Sequence, residues 1–258
     1  MAHASEYTHI YVSPHLDDAV LSCAGRMHRQ VGTGERVAVV TVFAGSPDPS
    51  TPLSSYAREL HTRWEQSLDA VEQRRKEDRE ALALLGVDAL QWPYKDCIYR
   101  RTPGGDYAYA SEEALWGRLH PAETSLIREL TVRLEDLPLT PDSVLYAPLA
   151  VGRHVDHRIV RRAVEEGRRD PVYYEDFPYA EDAESLEAAK TEGVWRAELV
   201  PLSDEDVEAK IAAIARYRSQ MNSFWADQTD METSIRAFVL RHGLEAPAER
   251  YWCPVSKT

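Results

Sequence analysis

The chain has 258 residues, 43% of them hydrophobic and 28% charged, with a formal net charge of -13. This balance supports a packed core and excludes a chain too polar to collapse. So acidic a surface repels phosphate backbones and anionic headgroups, which argues against nucleic-acid and membrane-surface partners. The three cysteines, Cys23, Cys97 and Cys253, are widely spaced and fit reduced thiols rather than a disulfide framework or a thiolate metal site. Met1 to Tyr11 carries no basic segment followed by an apolar run, so a cytoplasmic protein is expected.

In chain order, Ile10 to Val12 reads as a short strand that stops at Ser13 and Pro14. A helix follows with Val20, Leu21, Ala24 and Met27 at turn spacing. After a turn at Gly32 to Glu35, the β-branched run within Arg36 to Ala44 predicts a strand buried on both faces, hence a parallel sheet. The Pro/Ser-rich stretch after it is read as a loop reaching to about residue 62, and Trp64 to Leu85 as one helix ended by Gly86. Val87 to Trp92 resembles the next strand. Residues 94–121, rich in aromatic, Gly and Arg residues, are read as a second long loop.

A helix over 122–135 then precedes a strand at Ser143 to Tyr146, and GRHVDHRIVRRAVEEG opens another helix. Pro171 to Glu175 and Val194 to Leu199 are strand candidates separated by an acidic loop around Asp182 to Glu187. SDED at 203–206 starts a helix over Val207 to Gln220, and Trp252 and Cys253 dock the tail on the body. No internal repeat or low-complexity linker divides the chain, so one domain over 1–258 is expected. Its predicted class is α/β, a Rossmann-like, mostly parallel sheet flanked by helices, with site-lining loops near 46–62 and 94–121.

Two segments carry chemistry. SPHLDD (13–18) and HVDH (154–157) each sit where a strand gives way to a helix, the edge at which open α/β sheets hold their sites. One imidazole and one carboxylate from the first, with one imidazole from the second, form a three-ligand set that leaves a catalytic zinc an open position. The spare groups suit proton transfer, oxyanion stabilisation and orientation of an imidazole, the last by Asp156. A plainer reading stands beside this one: Asp17 and Asp18 can serve as helix caps, and an HxxH pair arises by chance.

At these residues the chain resembles the PIG-L/LmbE-like de-N-acetylases, whose signature is an H-P-D-D-E-like segment after the first strand and a downstream H-x-x-H. The resemblance runs from Ile10 to about Gln220 and takes in RRKEDREALALLGV (74–87), Asp96, APLAVGRHVDH (147–157), YYEDFPY (173–179) and YRSQ (217–220). It implies that His15, Asp18 and His157 hold Zn2+, that Asp17 is general base, and that His154 stabilises the oxyanion, which we expect it to do in protonated form. It also implies that Asp96 and Arg74 lie at the substrate pocket. Arg74 has an alternative partner in Glu77, and Asp96 an alternative role as a loop cap. Leu16 and Ala19 depart from the family, which usually has Pro and Glu there.

The expected function is hydrolysis of the N-acetyl or N-acyl group of a small-molecule amino-sugar substrate by metal-activated water, in an enzyme that can form homo-oligomers. Tyr99, Tyr107, Tyr109 and Trp116 are candidates to stack on a sugar ring or to pack their own loop. A metal-dependent phosphoesterase is an alternative, but such sites need two metals and more carboxylates. A sugar- or nucleotide-binding module is another, although the first strand leads into SPHLDD instead of a glycine-rich phosphate turn.

Overall fold

The computed structural model describes residues 6–63, 70–167, 170–190, 193–242 and 246–255. In chain order the elements are β1 (Tyr7–Ser13), α1 (Asp18–Gly32), β2 (Val37–Thr41), α2 (Ser55–Arg63), α3 (Ala70–Leu85), β3 (Asp88–Gln91), α4 (Glu112–Trp116) and α5 (Thr124–Glu135). Then come β4 (Leu139–Pro148), α6 (Val155–Glu166), β5 (Val172–Tyr174), α7 (Ala183–Ala189), β6 (Val194–Pro201), α8 (Asp204–Ile214), α9 (Met221–Phe224), α10 (Gln228–Leu240) and β7 (Ala248–Val255).

The strands form one sheet in the order β3-β2-β1-β4-β5-β7-β6. Neighbours from β3 through β5 run parallel, while β7 pairs antiparallel with both β5 and β6. Every residue of β2 is buried, as its unbroken β-branched run requires of a strand covered on both faces. In the centre, the Tyr11 and Tyr146 rings stack at 4.1 Å between β1 and β4, and the Tyr11 hydroxyl donates to Gln30 of α1. The chain leaves β1 toward β2 and β3, then crosses back to β4. The carboxyl ends of β1 and β4 therefore diverge into α1 and α6 side by side, which makes their gap the topological switch point of the sheet.

Several elements differ from the sequence expectation. The segment read as a loop to residue 62 turns helical at Ser55, where Ser54 Oγ accepts from Ala57 N–H at 3.0 Å and starts α2. Residues 94–121 hold α4 and a 3-10 turn at Cys97–Tyr99. The acidic stretch 182–187 is the start of α7, not a loop, because Asp182 caps it by accepting from Ser185 N–H. The helix expected to reach Gln220 ends at Ile214, and Trp252 and Cys253, read as docking the tail, lie in β7. The first part of the expected helix Trp64–Leu85, residues 64–69, lies outside the described residues.

Candidate active site

The turn after β1 is fixed by one serine: Ser13 Oγ donates to His15 O at 2.7 Å and accepts from Ala19 N–H at 3.0 Å. This closes the strand-to-helix corner so that His15, Asp17 and Asp18 all face the switch point. Asp18 Oδ2 accepts from the His15 backbone N–H at 2.7 Å, and Asp17, at the N-terminus of α1, makes no capping bond with its side chain. The cap role open to Asp17 in the sequence is therefore not taken, and its carboxylate is available to the cavity. Leu16 and Ala19, the two departures from the family pattern, are both buried apolar contacts.

On the β4 side the chain makes a strained turn. Ala150 (φ 59), Gly152 (φ 79) and Arg153 (φ 68) all adopt left-handed backbone just before α6. At Gly152 a Cβ would also press on the Tyr179 ring at 3.1 Å, so glycine is required there on two counts. The turn delivers His154 as the cap of α6, its Nδ1 accepting from Asp156 N–H at 3.3 Å, and places His157 one turn further on.

The two segments meet at Asp18. Its Oδ2 lies 3.1 Å from His15 Nδ1 and 3.3 Å from His157 Nε2. The outer nitrogen of each imidazole is held by a carboxylate: His15 Nε2 by Asp156 at 3.0 Å, and His157 Nδ1 by Asp176 at 2.7 Å. Asp176 also accepts from Val151 N–H at 2.9 Å, tying the strained turn to the same residue. These contacts point two imidazole nitrogens and one carboxylate oxygen into a common space, and potential ligand atoms of His15, His154 and His157 lie within 4.8 Å of one another. Donor set and outer carboxylates both fit zinc.

The electrostatics match that use. Against the upward push of burial, His157 and His15 hold the Asp18 carboxyl well below the usual range. Against the downward push of burial, Asp18 and Asp176 raise His157 to about 10. Asp18 likewise raises His15 against the downward push of burial. Burial raises Asp17 to about 6, with Arg74 opposing the rise. For His154, burial and then the charge of His15 push the imidazole down to about 3. With Nδ1 accepting from the Asp156 backbone N–H, Nε2 is the ring nitrogen left to serve as a donor.

The cavity over this cluster measures about 530 Å3 and is lined by His15, Asp17, Asp18, Arg74, Asp96, His154 and His157. Arg74 Nη2 donates to Asp17 at 3.4 Å, so it touches the carboxylate proposed from the sequence as base. Glu77, the alternative partner for Arg74, accepts from Gln73 and Ser219. Asp96 does both things weighed for it: it accepts from Ile98 N–H at 3.1 Å, and it lies 3.7 Å from His15 Nε2 at the cavity wall. Of the four candidate stacking aromatics, Trp116 lines the cavity. Tyr99 and Tyr109 are buried and hydrogen-bonded to His61 and to His120 N–H, and Tyr107 donates to Pro52 O. Tyr56, Tyr179 and Phe224 line it without having been singled out. Asp176, also not singled out, lies within the YYEDFPY segment that the resemblance had marked.

The chain is similar to known proteins along most of its length. The family model described as GlcNAc-PI de-N-acetylase, PIG-L, matches residues 10–167, a span that contains both His/Asp segments. A 2'-N-acetylparomamine deacetylase of Niallia circulans is 27% identical over 266 residues, covering 96% of this chain and 91% of that protein. Its counterpart of the same description in Streptomyces fradiae is 29% identical, over 94% of this chain and 80% of that one. The zinc-inhibited form of teicoplanin deacetylase Orf2 superposes with a TM-score of 0.83 at 29% identity, covering 96% of this chain and 98% of that structure. The chain that builds this His/Asp corner belongs to the PIG-L family of de-N-acetylases.

Proposed function

We propose that the protein is a zinc-dependent hydrolase that removes an N-acetyl or N-acyl group from an amino-sugar unit of a small molecule. The observation that carries this reading is the convergence of His15 Nδ1 and His157 Nε2 on Asp18, at 3.1 and 3.3 Å, with the uncapped carboxylate of Asp17 beside them. His15, Asp18 and His157 would hold the ion, which when bound polarises a carbonyl and lowers the pKa of water to about 7. The relatives described as deacetylases of 2'-N-acetylparomamine and teicoplanin support an acylated amino sugar carried on a larger scaffold.

Asp17 accepts a proton from the attacking water. Its position at about 6 suits that task, because the group is ionised at neutral pH yet basic enough to take the proton. His154 donates its Nε2 hydrogen to the carbonyl oxygen as negative charge develops there. Asp17 then returns the proton to the leaving nitrogen, releasing a carboxylic acid and a free amine. Arg74 orients Asp17, Asp96 bonds substrate hydroxyls at the wall, and Trp116 offers a ring face to the sugar.

A phosphoesterase needs two metals about 4 Å apart with further carboxylates to hold them. Here Asp156 and Asp176 are already bonded to imidazoles, which favours the single-metal reading. No helix among the described residues is long and apolar enough to cross a membrane. The buried free thiols of Cys23 and Cys97 suit a reducing compartment, so we place the reaction in the cytoplasm. The test is release of primary amine from N-acylated amino sugars, read with fluorescamine, for protein loaded with zinc and protein treated with chelator. Release by the loaded form alone supports the proposal, and no amine from any amide substrate overturns it.

A further inference from the structure

Asp156 has no exposed surface, and three donors converge on it. His15 Nε2 and Cys97 N–H each lie 3.0 Å from Oδ2, and Arg100 Nη2 lies 2.6 Å from Oδ1. The guanidinium of Arg100 is itself fixed from other sides. Nε donates to Glu123 at 2.9 Å, Nη1 donates to Lys95 O at 3.0 Å, and the group lies over the Phe43 ring at 4.8 Å. A planar fork with acceptors on several edges cannot rotate, whereas a single ammonium could not serve all of them. Arg100 lines a different cavity, of about 340 Å3, rather than the one over the His/Asp cluster.

We propose that Arg100, braced by Glu123, is a positioning residue for the metal centre, acting through Asp156 on the ring of His15. This rests on the metal site proposed above. A carboxylate already bonded by Arg100 and by a backbone N–H presents an acceptor to His15. With an ion bound, the imidazole would donate from Nε2 and keep the lone pair of Nδ1, the nitrogen that faces Asp18, for the metal. Without Arg100, Asp156 loses the donor on Oδ1 and can swing, and both the ring's angle and its choice of nitrogen are released. A role confined to filling space or balancing charge would change stability but not the ligand field of a bound ion.

The experiment measures zinc dissociation constants by chelator competition, and the visible spectrum of the cobalt-substituted protein, for wild type, Arg100→Ala, Arg100→Lys and Glu123→Gln. Arg100→Ala is expected to bind zinc about 10- to 100-fold more weakly, the range for residues that orient metal ligands, with altered cobalt bands. Lys should recover part of the affinity, and Glu123→Gln should lose less than Ala does. Free guanidinium, which can enter the cavity that Arg100 lines, should restore affinity to the Ala variant. Variants that keep the wild-type constant and spectrum overturn the proposal, as does weaker binding with unchanged cobalt bands and a lowered melting temperature. If Arg100→Ala does not fold, the Lys and Gln variants decide by the same criteria. Wild type that binds no zinc removes the metal site itself, a result distinct from wild type that binds while the variants bind equally well.

Discussion

Helix α1 carries two clusters of buried charge, one at its first turn and one at its middle, and they are built on opposite rules. At the middle, Glu249 accepts from Lys210 at 2.8 Å, from the Gly25 and Arg26 backbone N–H groups at 3.0 Å each, and from the Tyr251 hydroxyl at 2.9 Å. Lys210 also donates to Ser22 O at 2.9 Å. Gly25 is what lets the carboxylate so close, since a Cβ there would meet Glu249 Oε1 at 3.1 Å and Leu202 Cδ1 at 2.7 Å. This cluster is sealed, with both charged side chains 1 to 2% exposed, and its bonds fasten α8 and β7 to α1. At the first turn, Asp17 makes no cap, His15 and His157 converge on one carboxylate oxygen, and the whole group opens on a cavity. Where every charge is matched, the cluster holds the fold. Where like groups are crowded and left facing a space, it is set for chemistry.

Exchanging the behaviour of the two clusters is the way to test that contrast. Asp17→Asn should give the largest effect, a fall in kcat of about 10^2- to 10^4-fold, as expected for loss of a general base, with zinc content unchanged by elemental analysis. Loss of zinc from this variant would mean that Asp17 and Asp18 have been assigned the wrong way round. Lys210→Met should leave zinc binding alone yet cost about 3–5 kcal/mol in denaturant unfolding, because it strands a buried carboxylate. Its combination with Glu249→Gln should cost less than Lys210→Met alone; an equal or greater cost would place the contribution in packing instead of pairing.

Next in size, Asp176→Asn should weaken zinc binding about 10- to 100-fold by freeing His157, read by chelator competition; an unaltered constant would remove Asp176 from the site. The smallest effects concern pH. As the proposed base, Asp17 would work only when ionised, so the rate should fall as pH drops through about 6, and a flat profile down to pH 4 would exclude it. Its folded-state pKa is raised, so its stabilising contribution is full below the unfolded value near 3.9 and is lost as pH rises through about 6. At pH 7 the ionised group is therefore a liability. Metal-free Asp17→Asn should be more stable there by on the order of 1 kcal/mol in thermal unfolding, with the difference vanishing toward pH 4.

Much of this was legible in the sequence where one local pattern had one physical cause. The β-branched run of β2 can only be a strand covered on both faces, and SPHLDD and HVDH at strand-to-helix corners place their side chains at one sheet edge. Contacts spanning the chain left no such pattern. Asp176 meets His157 across 19 residues and Arg100 meets Asp156 across 56, so neither pairing has a spacing to read. The start of α2 was hidden because Ser54 caps it from within a Pro/Ser-rich stretch that resembles a loop. β7 was hidden because its place between β5 and β6 depends on reversed chain direction at the end of the sheet.

On the proposed mechanism His154 holds two jobs at once, and they pull the residue in different directions. As the cap of α6 it competes with Ser, Asp and Asn, all of which satisfy a helix start at least as well. None of those could keep one nitrogen on the backbone and still extend a hydrogen from the far side of a ring toward the cavity. Selection for stability alone would therefore accept a smaller cap at position 154, and each such change would yield a sturdier helix on a silent protein. Libraries screened by melting temperature should enrich these replacements, whereas libraries screened by turnover should discard them, so the two screens would diverge at this one residue before most others.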